Sequence, residues 1–110
     1  MRDDKVFLRH IRDEVNYITE VTKDIDYDSL MANGTLNRAL LRSLEIIGEA
    51  TKNISKEFKE KYPEIEWKKM AGLRDKLIHF YFGVDWDTVW DVITKEIPEL
   101  KVRLEALLRE

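Results

Sequence analysis

Apolar residues recur at helical spacing along the whole of this chain. Phe7, Ile11, Val15, Ile18, Val21 and Ile25 step by three and four, which predicts an amphipathic helix over residues 3–25. Asp24, Asp26, Asp28 and Ser29 follow as turn and cap chemistry, with a short helix through Met31. Asn33-Gly34 closes that element. Thr35 is the expected N-cap of a long helix to about Asn53, with Leu36, Leu40, Leu44, Ile47, Thr51 and Ile54 on its buried face. Ser55 suits the cap of a short turn through Glu60, and Tyr62-Pro63 breaks it. Residues 66–82 read as one further helix, with Gly83 as its stop. Asp85 or Asp87 would cap a helix carrying Val89, Trp90 and Ile93. Pro98 suits the first turn of a last helix through Leu108, packed by Leu100, Leu104 and Leu107. No alternating, strand-like run competes. The expected fold is all-α, an antiparallel bundle of about five helices joined by short loops.

Composition narrows this picture only in part. A length of 110 residues supports a single domain, 1–110, with one core. A net charge of -3 argues against a broad surface for coating nucleic acid, yet leaves room for a local phosphate site built from a few Arg and Lys. The absence of cysteine removes disulfides and thiolate chemistry. No apolar run is long enough for a bilayer and no signal peptide is evident, so a cytoplasmic protein without membrane contact is expected.

The helix expected over 66–82 carries the chemistry. On an ideal helix Arg74 falls near the centre of an apolar arc with Trp67, Met70, Ala71, Leu77, Ile78 and Tyr81. A permanently charged group there needs a carboxylate, a subunit boundary or an anionic ligand, because burying it unpaired is costly. Glu45 and Glu49, four apart on the preceding long helix, are candidate partners. Asp75 and His79 are also four apart, so a helix would let the carboxylate orient the imidazole and favour its charged form. Arg74 and His79 would sit about 140° apart on such a helix, which is wide for one shared substrate. The reach of arginine, distortion near Gly83 or a second copy across a two-fold axis would close that gap, the last being the attractive one because a symmetric dimer brings two copies of the helix together. Lys68, Lys69 and Lys76 flank the segment and are read chiefly as a solvated face, and His10, between Arg9 and Arg12, as a surface residue. Spacing alone leaves a purely structural role for Arg74, His79 and Tyr81 the favoured one.

The blocks around these residues change that balance. Leu44-Glu45-Ile46-Ile47-Gly48-Glu49-Ala50, Pro63-Glu64-Ile65-Glu66-Trp67 and Met70-Ala71-Gly72-Leu73-Arg74-Asp75 resemble the HepT-like family of the HEPN superfamily. So do residues 77–85, Val89-Trp90 and Ile97-Pro98-Glu99-Leu100, in the same order; the N-terminal helix contributes least. The family's signature is Arg, four residues, His, one residue, Tyr, and it falls on Arg74, His79 and Tyr81. The residue after the arginine is often Asn in the family and is Asp75 here, a departure that bears on the protonation of the histidine.

The resemblance implies a dimeric domain with a four-helix core. It implies the toxin of a toxin–antitoxin pair whose partner is a minimal nucleotidyltransferase antitoxin. The implied activity is metal-independent cleavage of RNA, with no cofactor. Arg74 and His79 would be catalytic, Asp75 supporting, and Tyr81 the acceptor of AMP from the partner. The alternative is a non-catalytic helical subunit of the nucleotidyltransferase complex, in which the same residues serve only docking and modification.

Overall fold

The computed structural model describes residues 3–79 and 83–109, without the side chain of His79. Helix α1 (Asp4–Thr22) opens on Asp3, whose carboxylate accepts from the Lys5 amide, and α2 (Tyr27–Ala32) opens on Asp26, which accepts from the Ser29 amide. Hydrogen bonds from the Ser29 amide and the Ser29 side chain hold the Asp26 carboxyl below its ordinary pKa. Helix α3 (Gly34–Lys52) starts one residue before the predicted cap: Asn33, not Thr35, accepts from the Leu36 amide. Ser55 caps α4 (Lys56–Lys61) as expected. Its amide and hydroxyl also donate to the two carboxylate oxygens of Asp4, at 2.8 and 2.7 Å, which ties α4 to the start of α1.

The expected helix over 66–82 is not continuous. It divides into α5 (Trp67–Ala71) and α6 (Leu73–Leu77) at Gly72, and then passes into a short antiparallel pair, β1 (Ile78–His79) and β2 (Gly83–Val84). Ile78, with φ -115° and ψ 113°, is already extended. β-branched and aromatic residues crowd this stretch, and they sit more easily in extended backbone than in a helix end. Gly83 therefore begins a strand rather than ending a helix. The Asp85 amide donates to Leu77 O at 2.8 Å and closes the excursion.

Asp85, not Asp87, caps α7 (Trp86–Asp91), accepting from the Thr88 amide and hydroxyl at 3.1 and 2.7 Å. The chain does not break before Pro98. It widens into a π-helical segment (Val92–Glu96) and runs straight into α8 (Ile97–Leu108). Proline lacks an amide hydrogen and its ring crowds the preceding turn. The wider turn absorbs that conflict, so α7 joins the last helix without a loop and Pro98 lies in the first turn of α8, as expected.

Helix α1 lies against α3 on one side and against α8 and the π-segment on the other, while α3 also meets α5 and α6, and α6 meets α7. These contacts enclose one core, in which Leu8, Ile11, Ile18, Leu40, Leu44 and Ile47 are fully buried. The fold is all-α apart from the two-residue strands, with more and shorter helices than the five expected. Among the described residues, no helix is long and apolar enough to cross a membrane.

Candidate active site

Three local devices place the segment that bears Arg74. Tyr62-Pro63 ends the approach from α4, and the Trp67 indole donates to Tyr62 O at 2.9 Å while its ring packs edge-on against Phe58. Trp67 and Met70 are buried, which seats α5 on α3. The fit is close at Gly48 of α3, where a Cβ would lie 3.4 Å from Met70 O and 3.7 Å from Ala71 O. The Gly72 amide closes on Lys68 O, and Gly72 O in turn accepts from the Lys76 amide, so the chain re-enters a helix without a loop.

That step at Gly72 re-phases the apolar arc. Leu73 and Leu77 of α6 are buried, whereas Arg74 has 52% of its side chain exposed, so the expectation of a buried arginine does not hold. Its charge needs no deep burial, since water reaches half of it. Among the described residues its ion pair is to Glu45 of α3, Nε to Oε2 at 3.6 Å, the first of the two carboxylates predicted from sequence. Glu49 pairs instead with Lys52 on its own helix at 3.6 Å. A single contact at that distance through Nε falls short of a bidentate clamp, so the guanidinium keeps donors for another acceptor.

Asp75 is exposed and no ion pair joins it to a described residue. The helical register that would stack it on His79 stops at Leu77. The backbone of His79 is held in β1 opposite Gly83, while its side chain and the whole of Tyr81 lie outside the described residues. With the helix ended, the angle of about 140° drawn for a continuous helix no longer governs how residues 74 and 79 are related.

The flanking lysines are largely engaged. Glu96, on the π-segment, meets Lys69 at 2.7 Å and Lys76 at 3.7 Å, one on each side of the Gly72 step. Hydrogen bonding and charge attraction to Glu96 hold the Lys69 ammonium above its ordinary pKa. Sequence spacing had no means to find Glu96, which lies 20 or more residues from both partners. Lys68 makes no ion pair among the described residues, so only it keeps the free, solvated character expected for all three. His10 is exposed, as expected, with its ring edge-on to Phe7. Among the described residues, no three His, Cys, Asp or Glu side chains group as metal ligands would.

Comparison with known proteins bears on what this arrangement is for. The family model described as "Ribonuclease HepT-like" matches residues 11–107. The chain belongs to that family. The matched span of this HepT-like chain contains Arg74, His79 and Tyr81. A protein provisionally named an RNase in Caldanaerobacter subterraneus subsp. tengcongensis is 46% identical, over 100% of this chain and 98% of its own. A similarly named protein of Methanocaldococcus jannaschii is 48% identical, over 99% of this chain and 94% of its own. A protein of Thermococcus cleftensis named a probable ribonuclease HepT is 43% identical, over 96% of each. No solved structure matches the chain.

Proposed function

We propose that this HepT-like chain is the toxin of a toxin–antitoxin pair and cuts RNA within the chain without needing a metal. The observation that carries the reading is Arg74, half exposed and loosely held by Glu45, at the start of the family's Arg-x4-His-x-Tyr spacing. In the reaction, the ribose 2′-oxygen loses its proton and attacks the adjacent phosphorus. The bond to the 5′-oxygen breaks, and that oxygen takes up a proton. The products are a 2′,3′-cyclic phosphate and a free 5′-hydroxyl. His79 moves the proton, the general acid–base task that imidazole side chains most often perform. Arg74 holds the phosphate oxygens and offsets the charge that grows on them. Asp75 supports the pair only through its nearby negative charge, since no helical register stacks it on the histidine.

The chain acts as a homodimer, so that two copies of the segment from Arg74 to Tyr81 share one cleft. Its silencing partner is a minimal nucleotidyltransferase. That enzyme transfers AMP from ATP to the Tyr81 phenol oxygen, which loses its proton as pyrophosphate leaves, and the new anion excludes the phosphates of RNA. The deciding experiment is cleavage of a labelled RNA in the presence of a chelator. Wild type should produce cyclic-phosphate ends, and His79→Ala should produce none while keeping its fold. Equal cleavage by a well-purified His79→Ala protein sinks the assignment. Co-expression with the nucleotidyltransferase should add AMP mass to the peptide holding Tyr81, and a Tyr81→Phe chain should stay unmodified.

A further inference from the structure

The charge of this chain is not evenly spread. Residues 52–76 carry eight Lys or Arg and five Asp or Glu, a local charge of +3 in a chain whose total is -3. That stretch runs from the last residue of α3 through α4 and α5 into α6, and it includes Arg74. Two open grooves lie side by side on it, with volumes of about 640 and 600 Å³. Both are lined by Lys59, Trp67 and Lys68; one continues to Pro63, Glu66 and Lys69, and the other to Lys56, Glu60 and Ala71, one helical turn short of Arg74, so each sets three lysines against one carboxylate.

The lysines differ in how they are engaged. Lys69 is held by Glu96 at 2.7 Å, and Lys56 is 3.9 Å from Glu60. Lys59 and Lys68, the two shared by both grooves, make no ion pair among the described residues. Two uncompensated ammonium groups flank an indole pinned at its Nε1 by Tyr62 O, 2.9 Å away. The indole itself is buried, so it forms the floor between the two lysines, and the attraction comes from charge, the term that lets a positive groove follow a single nucleic-acid strand without reading its sequence. Each groove is large enough for about one nucleotide, by the scale of ordinary ligand pockets.

We propose that these paired grooves, centred on Lys59 and Lys68, are a docking track for the RNA backbone beyond the phosphate that is cut. The inference rests on the ribonuclease reading and adds to it. The strand would enter along α4 and α5, give a phosphate to each free lysine, and reach Arg74 with its register set. Overall acidity would then restrict binding to this strip, because the rest of the surface repels RNA.

The test compares wild type with a Lys59→Gln, Lys68→Gln double variant and with Lys95→Gln as a control, since Lys95 is an exposed lysine paired with Asp91 at 3.6 Å. Binding is measured with a 2′-O-methyl oligonucleotide, which lacks the attacking hydroxyl, and cleavage with a dinucleoside monophosphate, which is too short to reach the track. Each phosphate contact on a single strand contributes about 0.7 to the slope of log affinity against log salt, so the double variant should lose about 1.4. Between 50 and 200 mM salt, wild type should then lose roughly sevenfold more affinity than the variant. Dinucleoside cleavage and the control should not change. An unaltered slope overturns the proposal, as does an equal loss in the control, which would point to bulk charge. Loss of dinucleoside cleavage in the double variant also overturns it, by placing the lysines at the reacting phosphate. If RNA binding is intact but capture of the nucleotidyltransferase is lost, the face belongs to a protein and the RNA assignment fails. If wild type cuts nothing yet the slopes differ as expected, the track stands and the ribonuclease reading fails.

Discussion

Replacing Arg74 by Met separates catalysis from packing, because the structure gives the two roles very different magnitudes. The guanidinium is 52% exposed and meets one carboxylate oxygen at 3.6 Å. At that separation the attraction in water is about 1.2 kcal/mol, and ordering costs and salt reduce it further. The net structural worth is therefore at most about 1 kcal/mol, a shift in melting temperature of roughly 4 °C for a domain of this size. The transition state asks far more. Removing a donor from a developing phosphate charge typically costs about 10²–10³ in rate, or roughly 3–4 kcal/mol. Arg74→Met should accordingly melt within a few degrees of wild type and cut RNA at least a hundredfold more slowly. Arg74→Lys should recover little, since an ammonium cannot reproduce the planar fork. Circular dichroism gives the melting curve, and a gel assay of a labelled oligonucleotide with chelator gives the rate. Cleavage at the wild-type rate by Arg74→Met would refute the reasoning outright. A melting temperature lowered by far more than a few degrees would show that the arginine is structural after all.

Three further outcomes follow from the elements that hold this segment. Gly48→Ala should be close to neutral, because a Cβ meets Met70 O at 3.4 Å and helix propensity gains about 0.5–1 kcal/mol, whereas Gly48→Val should push α5 off α3 and lower both melting temperature and cleavage. Glu96→Gln should cost up to about 1 kcal/mol by releasing Lys69 and Lys76. Lys69 has a raised pKa in the fold, so its share of that stability is complete below the ordinary lysine value of 10.5 and is lost as pH rises through the elevated one. Chemical denaturation should thus show a constant difference between wild type and Glu96→Gln across neutral pH, narrowing only in strong alkali. Leu44→Ala, at a fully buried position of α3, should cost about 2–5 kcal/mol and roughly 10–20 °C in melting temperature without a specific loss of activity in the fraction that stays folded.

Much of the fold was legible because apolar spacing and cap residues act locally. Ser55 and Asp26 each sit where a short polar side chain can accept from an amide two or three residues ahead, and both do so. Asn33 shows the margin of such readings, since Asn and Thr are comparable caps and only the observed bond to the Leu36 amide decides between them. Pro98 does sit in the first turn of the last helix, as expected, but no loop precedes it. A proline removes one hydrogen bond from a helix but does not oblige the chain to turn, and packing of Val92, Ile93 and Ile97 into the core keeps the axis going through a π-turn.

The segment from Trp67 to Val84 resisted sequence reading for a different reason. Helical periodicity assumes an unbroken phase, and the step at Gly72 changes the phase without leaving the pattern of apolar residues every three or four positions. Leu73 and Leu77 keep their burial across the step, while Arg74 turns from the predicted core to the surface. The same step explains why long-range carboxylates matter here. Two helices of five residues each have little stability of their own. Glu96 grips one lysine on each of them and Glu45 meets the arginine, so the phase on which Arg74 depends is set by residues 20 or more positions away in sequence. A charged side chain found on an apparent apolar arc is thus as much a sign of a hidden break in the helix as of a buried ion pair. In this chain the half-exposed guanidinium follows directly on such a break.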